Sequence, residues 1–143
     1  MAKVVLPRVH VMVLCDEIEP SSVEEDVFDL HGVRTHITAR SFPYTHPQLT
    51  VYLQMTGHDG TATGWAVFAD PATDTEISVT QEEEITFHGP LSFVTVRWQI
   101  LDCSFPEPGL YYVQAHFGGK QIGERALFLE HGQAVTTNGR QTG

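Results

Sequence analysis

Histidines are the residues of this sequence best suited to bind a transition metal. The chain has eight of them, but none occurs in the His-x-His spacing that places two ligands on one face of a strand. No Cys-x-x-Cys or His-Glu-x-x-His motif is present either. His31 and His36 are five positions apart, which orients them poorly for one ion. The sequence therefore predicts no metal centre and no cofactor.

Acidic side chains offer a second kind of site, because sandwich domains can bind calcium with loop carboxylates at one end. The candidate ligands, which follow or precede predicted strands, are Asp16, Glu17, Glu19, Asp29, Asp70, Asp74 and Asp102. The Asp-x-Asp-x-Asp spacing of a loop site is missing, so a solvated acidic rim is the favoured interpretation. Calcium or carbohydrate binding by these loops is the alternative function.

Neither cysteine is placed as a nucleophile. Cys15 precedes Asp16 and Cys103 follows Asp102, and an adjacent negative charge raises the pKa of a thiol. No Gly-x-Ser-x-Gly elbow occurs, and nothing singles out two carboxylates for glycoside hydrolysis. We therefore expect free thiols, no catalytic residues and no enzymatic activity. A hydrolase assembled from distant loops is a third, weaker hypothesis.

Three aromatic residues, Tyr52, Tyr112 and Trp65, fall at nominally polar positions of predicted strands. Exposed aromatic side chains on a sheet can contact a protein partner or stack on a sugar. They can equally be covered by another part of the same chain. All three interpretations remain open for each residue.

The elements that position these side chains are strands, because apolar and polar residues alternate with a period of two. The clearest alternation covers residues 49–55, 61–69, 93–101, 111–117 and 121–129. Weaker patterns predict strands over 8–15, 27–30, 33–39, 76–80 and 84–88, with a loop over 16–26 and a connection over 41–47. Hairpin turns are predicted at Asp59-Gly60 and Gly118-Gly119. No amphipathic helix of useful length is present.

This pattern predicts an all-β fold, an antiparallel immunoglobulin-like sandwich of about eight or nine strands. Glu107-x-Gly109-x-Tyr111 resembles the corner that enters the sixth strand of immunoglobulin-like domains, where the tyrosine hydroxyl bonds to upstream backbone. The cysteine expected two residues later is Val113, so the inter-sheet disulfide of antibody domains is absent. One sandwich domain is predicted over residues 1–130 and a disordered tail over 131–143.

Four short motifs resemble the pattern of a family of short, uncharacterised bacterial proteins. The motifs are Leu14-Cys15-Asp16, Gly32-Val33, Ser41-Phe42-Pro43 and His46-Pro47-x-Leu49. In that pattern a Cys-Asp follows the first strand, a Gly precedes the second, and Phe-Pro and His-Pro-x-Leu lead into the third. The resemblance implies a small β-sandwich and supplies no catalytic residues.

Charge sets expectations for partners. The chain has 8 basic and 18 acidic residues and a formal charge of −10, which repels phosphate backbones and anionic lipids. We therefore expect no nucleic acid and no membrane as partners. No targeting segment is visible, which predicts a cytoplasmic location. The sequence thus predicts a non-enzymatic binding or structural module that contacts a protein partner or a second copy of itself.

Overall fold

A computed structural model describes residues 5–132, which form ten β-strands and no helix. The strands are β1 (Arg8–Pro20), β2 (Phe28–Val33), β3 (His36–Ala39), β4 (Tyr44–Thr56), β5 (Gly60–Asp70), β6 (Thr75–Val79), β7 (Glu83–Phe87), β8 (Val94–Phe105), β9 (Gly109–Phe117) and β10 (Lys120–His131). The all-β prediction is confirmed, and the strand number exceeds the predicted eight or nine. Residues 133–143 lie outside the described part, so the tail prediction remains a prediction.

The strands form two sheets that share one core. The four-stranded sheet has the order β2-β1-β4-β8, and the six-stranded sheet has the order β3-β10-β9-β5-β6, with β7 also paired to β5. Neighbouring strands are antiparallel except β3 and β10, which are parallel. The prediction of antiparallel pairing is therefore confirmed for the four-stranded sheet, whereas the six-stranded sheet is mixed. The chain leaves one sheet at Val33 and enters the other at His36, so the weak pattern over 33–39 is a crossing between sheets.

The period-two alternation decides which side chains enter the core. In β4 the inward residues Leu49, Leu53 and Met55 are fully buried. In β5 the inward residues are Gly64, Ala66 and Phe68, so Trp65 and Val67 point outward. The Phe68 ring packs edge-on against Phe105 of the opposite sheet, with 6.5 Å between ring centroids. Each such buried side chain contributes about 1.5–3 kcal/mol of hydrophobic stabilisation.

Two segments predicted as irregular are partly strand. β1 continues to Pro20 because β2 pairs with it from Cys15–Val33 to Pro20–Phe28. β4 begins at Tyr44 because its pairing with β8 extends to Phe105. Long cross-strand ladders therefore override the local polar composition of both segments.

The predicted tyrosine corner is confirmed. The Tyr111 hydroxyl donates to the Glu107 carbonyl oxygen at 2.6 Å, and the Glu107 N–H donates to the same hydroxyl at 3.2 Å. Tyr111 is otherwise buried, and burial raises the pKa of its hydroxyl. The corner fixes the entry of β9 into the six-stranded sheet.

Candidate functional site

A polar cluster around Asp16 lies where the chain crosses between the sheets. Arg34 donates to Asp16 from Nε at 3.0 Å and from Nη2 at 2.6 Å. His46 Nε2 lies 2.9 Å from the same carboxylate, and His46 Nδ1 lies 2.9 Å from the Tyr44 hydroxyl. Because an ionised carboxylate only accepts, Nε2–H is the donor. Gln48 donates to the Asp16 backbone carbonyl at 3.0 Å.

Electrostatics favour the ionised forms of Asp16 and Arg34. Burial alone raises the pKa of Asp16, but hydrogen bonds from Arg34 and His46, together with the Arg34 charge, hold that pKa below its ordinary value. The hydrogen bonds to Asp16 raise the pKa of Arg34 in turn. His46 is buried, and both of its ring nitrogens are occupied within the cluster. Tyr44, His46 and Asp16 thus form a hydrogen-bonded chain that joins strands.

The backbone at Gly32 lies directly against the Asp16 carboxylate. Gly32 has φ +67°, and a Cβ atom built there would lie 2.6 Å from Asp16 Oδ2. Residues of three separate sequence motifs, Cys15-Asp16, Gly32 and His46, therefore meet in one region. The cluster borders a shallow groove of about 390 Å³ that is also lined by Glu17 and Pro47. The hydrogen bonds of Asp16 to Arg34 and His46 connect β1, β4 and the segment that crosses between the sheets.

The candidate metal ligands are dispersed. Within residues 5–132 no three His, Cys, Asp or Glu side chains are grouped so as to hold a metal ion. Asp16 is engaged by Arg34 and His46, and Glu19 pairs with His31 at 2.9 Å. Asp70 accepts a hydrogen bond from the Ala72 N–H within its own turn. The acidic residues thus serve local contacts or face solvent.

Both cysteines are free and buried. Burial, and then the charge of Asp16, raises the pKa of Cys15. Burial raises the pKa of Cys103 to about 12. A buried, protonated thiol is a poor nucleophile.

The two outer faces of the sandwich differ in how their aromatic residues are covered. On the four-stranded sheet Tyr52 is buried, and Phe28 packs edge-on against it with ring centroids 6.1 Å apart. The guanidinium carbon of Arg97 lies 4.7 Å from the centre of the Phe28 ring. Tyr52 is therefore covered by its own chain.

The outer face of the six-stranded sheet keeps its aromatic side chains accessible. Trp65 stacks on His116 with 5.5 Å between centroids and an interplanar angle of 5°. Phe128 and Leu110 are cross-strand partners and are 45% and 41% exposed. Val67 lies buried between neighbouring side chains. We call this surface the aromatic face; by register it comprises Trp65, Val67, Ala69, Val79, Leu110, Tyr112, Gln114, His116, Ala126 and Phe128.

Charges border the aromatic face rather than interrupt it. Glu124 is paired with Gln114, and Glu76 is paired with Ala69. Burial lowers the pKa of His116, and the Glu76 charge partly opposes that effect. An apolar centre with a polar margin is the composition of a protein–protein contact surface.

The fold defines the chain as an all-β, two-sheet protein. Residues 10–130 match a family of unknown function, DUF6941, and the chain belongs to that family. A comparison with curated proteins gave no match.

A solved structure of similar fold is that of the Pseudomonas fluorescens alkylpurine DNA glycosylase AlkC, bound to DNA containing an abasic site analog. The TM-score is 0.50 at 8% sequence identity, and the match covers 87% of this chain and 30% of that chain. The chain therefore spans less than a third of the glycosylase, and the likeness concerns the fold.

This likeness corrects one expectation about partners. The exclusion of nucleic acid rested on the net charge of −10 alone. A similar fold forms part of a DNA-bound protein, so the charge balance is not a sufficient ground for that exclusion. Membrane contact was also judged from composition. Nowhere in residues 5–132 is there a helix with the length and apolar character needed to cross a membrane.

Proposed function

We propose that this protein is a non-enzymatic, immunoglobulin-like sandwich module that binds another protein through its aromatic face. The observation that carries the proposal is the contrast between the two outer faces. On the four-stranded sheet Phe28 covers Tyr52, and the exposed Val33 and Leu101 lie apart on its two edge strands. On the six-stranded sheet the exposed Phe128 and Leu110 are cross-strand partners. Contiguous exposed apolar surface with a polar margin is typical of interaction sites.

The packing of the face supports the same interpretation. Trp65 and His116 support each other through stacking, so these rings lose little conformational freedom when a partner binds. Tyrosine and tryptophan held in this way are common energetic centres of interfaces. The tyrosine corner is the feature that supports the immunoglobulin-like assignment. A cytoplasmic location and a bacterial source accompany the proposal as expectations from the sequence.

Paired variants test the proposal. Leu110→Ser with Phe128→Ser removes two exposed apolar side chains from the aromatic face. Leu91→Ser with Phe93→Ser removes the same residue types, 95% and 62% exposed, from the connection before β8. In quantitative pull-down from the native host, we expect wild type and the Leu91→Ser, Phe93→Ser variant to retain a protein partner. The Leu110→Ser, Phe128→Ser variant should lose at least 90% of that partner, because truncating central anchors of an interface typically costs about 2 kcal/mol or more of binding free energy.

Other outcomes separate the competing functions. Equal loss from both variant pairs would contradict the use of the aromatic face. A melting temperature raised by calcium or by a glycan panel would instead favour the ligand-binding alternative. The likeness to a DNA-bound glycosylase makes a short DNA duplex a further ligand to titrate, and light scattering distinguishes a foreign partner from a second copy.

A further inference from the structure

Strand β8 forms one edge of the four-stranded sheet. It runs for 12 residues and pairs with β4 from Tyr44–Phe105 to Met55–Val94. No second strand pairs with it among residues 5–132. Along such an edge, alternate N–H and C=O groups point outward without a strand partner. β6 of the other sheet lies against the second half of β8, where Ser78 hydrogen-bonds to Cys103. The first half of β8 therefore offers a row of hydrogen-bonding groups to an added strand.

A groove follows the first half of this edge. It has a volume of about 540 Å³ and runs beside residues 94–97 and 99 of β8 and residues 83–86 of β7. β7 pairs with β5 alone. One side-chain hydrogen bond connects the two strands, from Trp98 Nε1–H to Glu83 Oε1 at 3.0 Å. An extended segment of about six residues, roughly 20 Å long, matches the stretch of β8 that lines this groove.

The charge of the groove limits what can enter it. Three carboxylates line it, from Glu17, Glu83 and Glu84, against the single cation of Arg97. The remaining polar lining consists of the amides and hydroxyls of Gln48, Thr50, Thr86, Thr95 and Gln99. An incoming strand with lysine or arginine at alternate positions complements this lining.

We propose that the free edge of β8 binds an extended, basic peptide segment of a partner protein by strand addition. Main-chain hydrogen bonds to β8 supply affinity, and lysine or arginine side chains facing Glu84 supply selectivity. This site is separate from the aromatic face, so either one can be correct without the other.

Three synthetic peptides of eight residues test the proposal on the full chain. The first alternates lysine and valine, the second replaces every lysine by glutamate, and the third carries N-methyl groups on alternate amides of the first. We expect the first to bind, with at least tenfold weaker binding of the other two. Hydrogen exchange should show new protection at every second amide of residues 94–99 when the first peptide is bound.

Matched charge reversals locate the site. Glu84→Lys places a cation in the groove, whereas Glu25→Lys makes the same change in the turn between β1 and β2. We expect the first variant to weaken the lysine peptide at least fivefold and the second to leave it within twofold. Equal binding of the N-methylated peptide, protection without the period of two, or equal effects of the two reversals would overturn the proposal. Pairing of two β8 edges in a dimer would overturn it as well.

Discussion

Replacing Asp16 by asparagine tests whether the polar cluster anchors the crossing between the sheets. The change preserves the shape of the side chain and removes the charge that Arg34 and His46 contact. Glu19→Gln is the matched control, since Glu19 lies on the same strand and contacts His31 at 2.9 Å with both side chains more than half exposed.

The expected magnitude follows from burial. Hydrogen bonds to charged groups contribute about 1.5–3 kcal/mol when shielded from water, whereas exposed ion pairs contribute about 0–1 kcal/mol. The Asp16 side chain is 31% exposed, so we discount the upper value and expect a loss of about 2 kcal/mol. For a chain of this size that loss lowers the melting temperature by roughly 7 °C. Glu19→Gln should change stability by less than about 0.5 kcal/mol.

The pH dependence supplies a second test. The folded-state pKa of Asp16 is lowered, so its contribution is fully present above the unfolded pKa of about 3.9 and is lost as the pH falls through the folded pKa. Urea unfolding of wild type and Asp16→Asn should therefore differ by a constant amount between about pH 5 and 8 and converge below about pH 4. Equal free energies of unfolding for the two proteins at pH 7, or a difference that grows in acid, would show that the ionised Asp16 carboxylate does not stabilise the fold.

Two further substitutions probe backbone fit and the tyrosine corner. Gly32→Ala should lower the free energy of unfolding by at least about 1–2 kcal/mol, because φ is +67° and the new Cβ would lie 2.6 Å from Asp16 Oδ2. Urea unfolding measures this loss, and an unchanged midpoint would show that the carboxylate moves freely. Tyr111→Phe should cost about 1 kcal/mol, because it removes the 2.6 Å bond to the Glu107 carbonyl oxygen. Its effect should appear in thermal unfolding with no loss of strand content, and a neutral result would mean that water replaces the hydroxyl at no cost.

The sequence predicted the structure correctly where the position of a side chain depends on residues close to it in the chain. Alternation identified the inward residues of β9 because period two and burial coincide there. In β4 alternation also identified the inward residues, but burial does not alternate, because the outward Thr50 and Tyr52 are buried as well. The tyrosine corner was predictable because its glutamate, glycine and tyrosine lie within five positions. Local patterns failed at β1, whose end at Pro20 depends on pairing with Phe28. They also failed at residues 33–39, because β2 of one sheet ends at Val33 and β3 of the other sheet begins at His36.

The polar cluster was not predictable from spacing. Asp16 and His46 lie 30 positions apart, and their contact depends on the pairing of β1 with β4. The signal that could have found them is the set of short motifs, which includes Cys15-Asp16, Gly32 and His46-Pro47. Tyr52 and Tyr112 looked alike in sequence, yet Phe28 packs against only one of them in the described structure. Long-range cover of this kind has no local signature.

Photocrosslinking in the native host tests whether the aromatic face contacts another protein. A benzophenone side chain would be placed at Tyr112 on the aromatic face and, separately, at Val23, which is 86% exposed in the turn between β1 and β2. We expect one discrete protein adduct from position 112 and none from position 23. No adduct from position 112, or the same adducts from both positions, would contradict it.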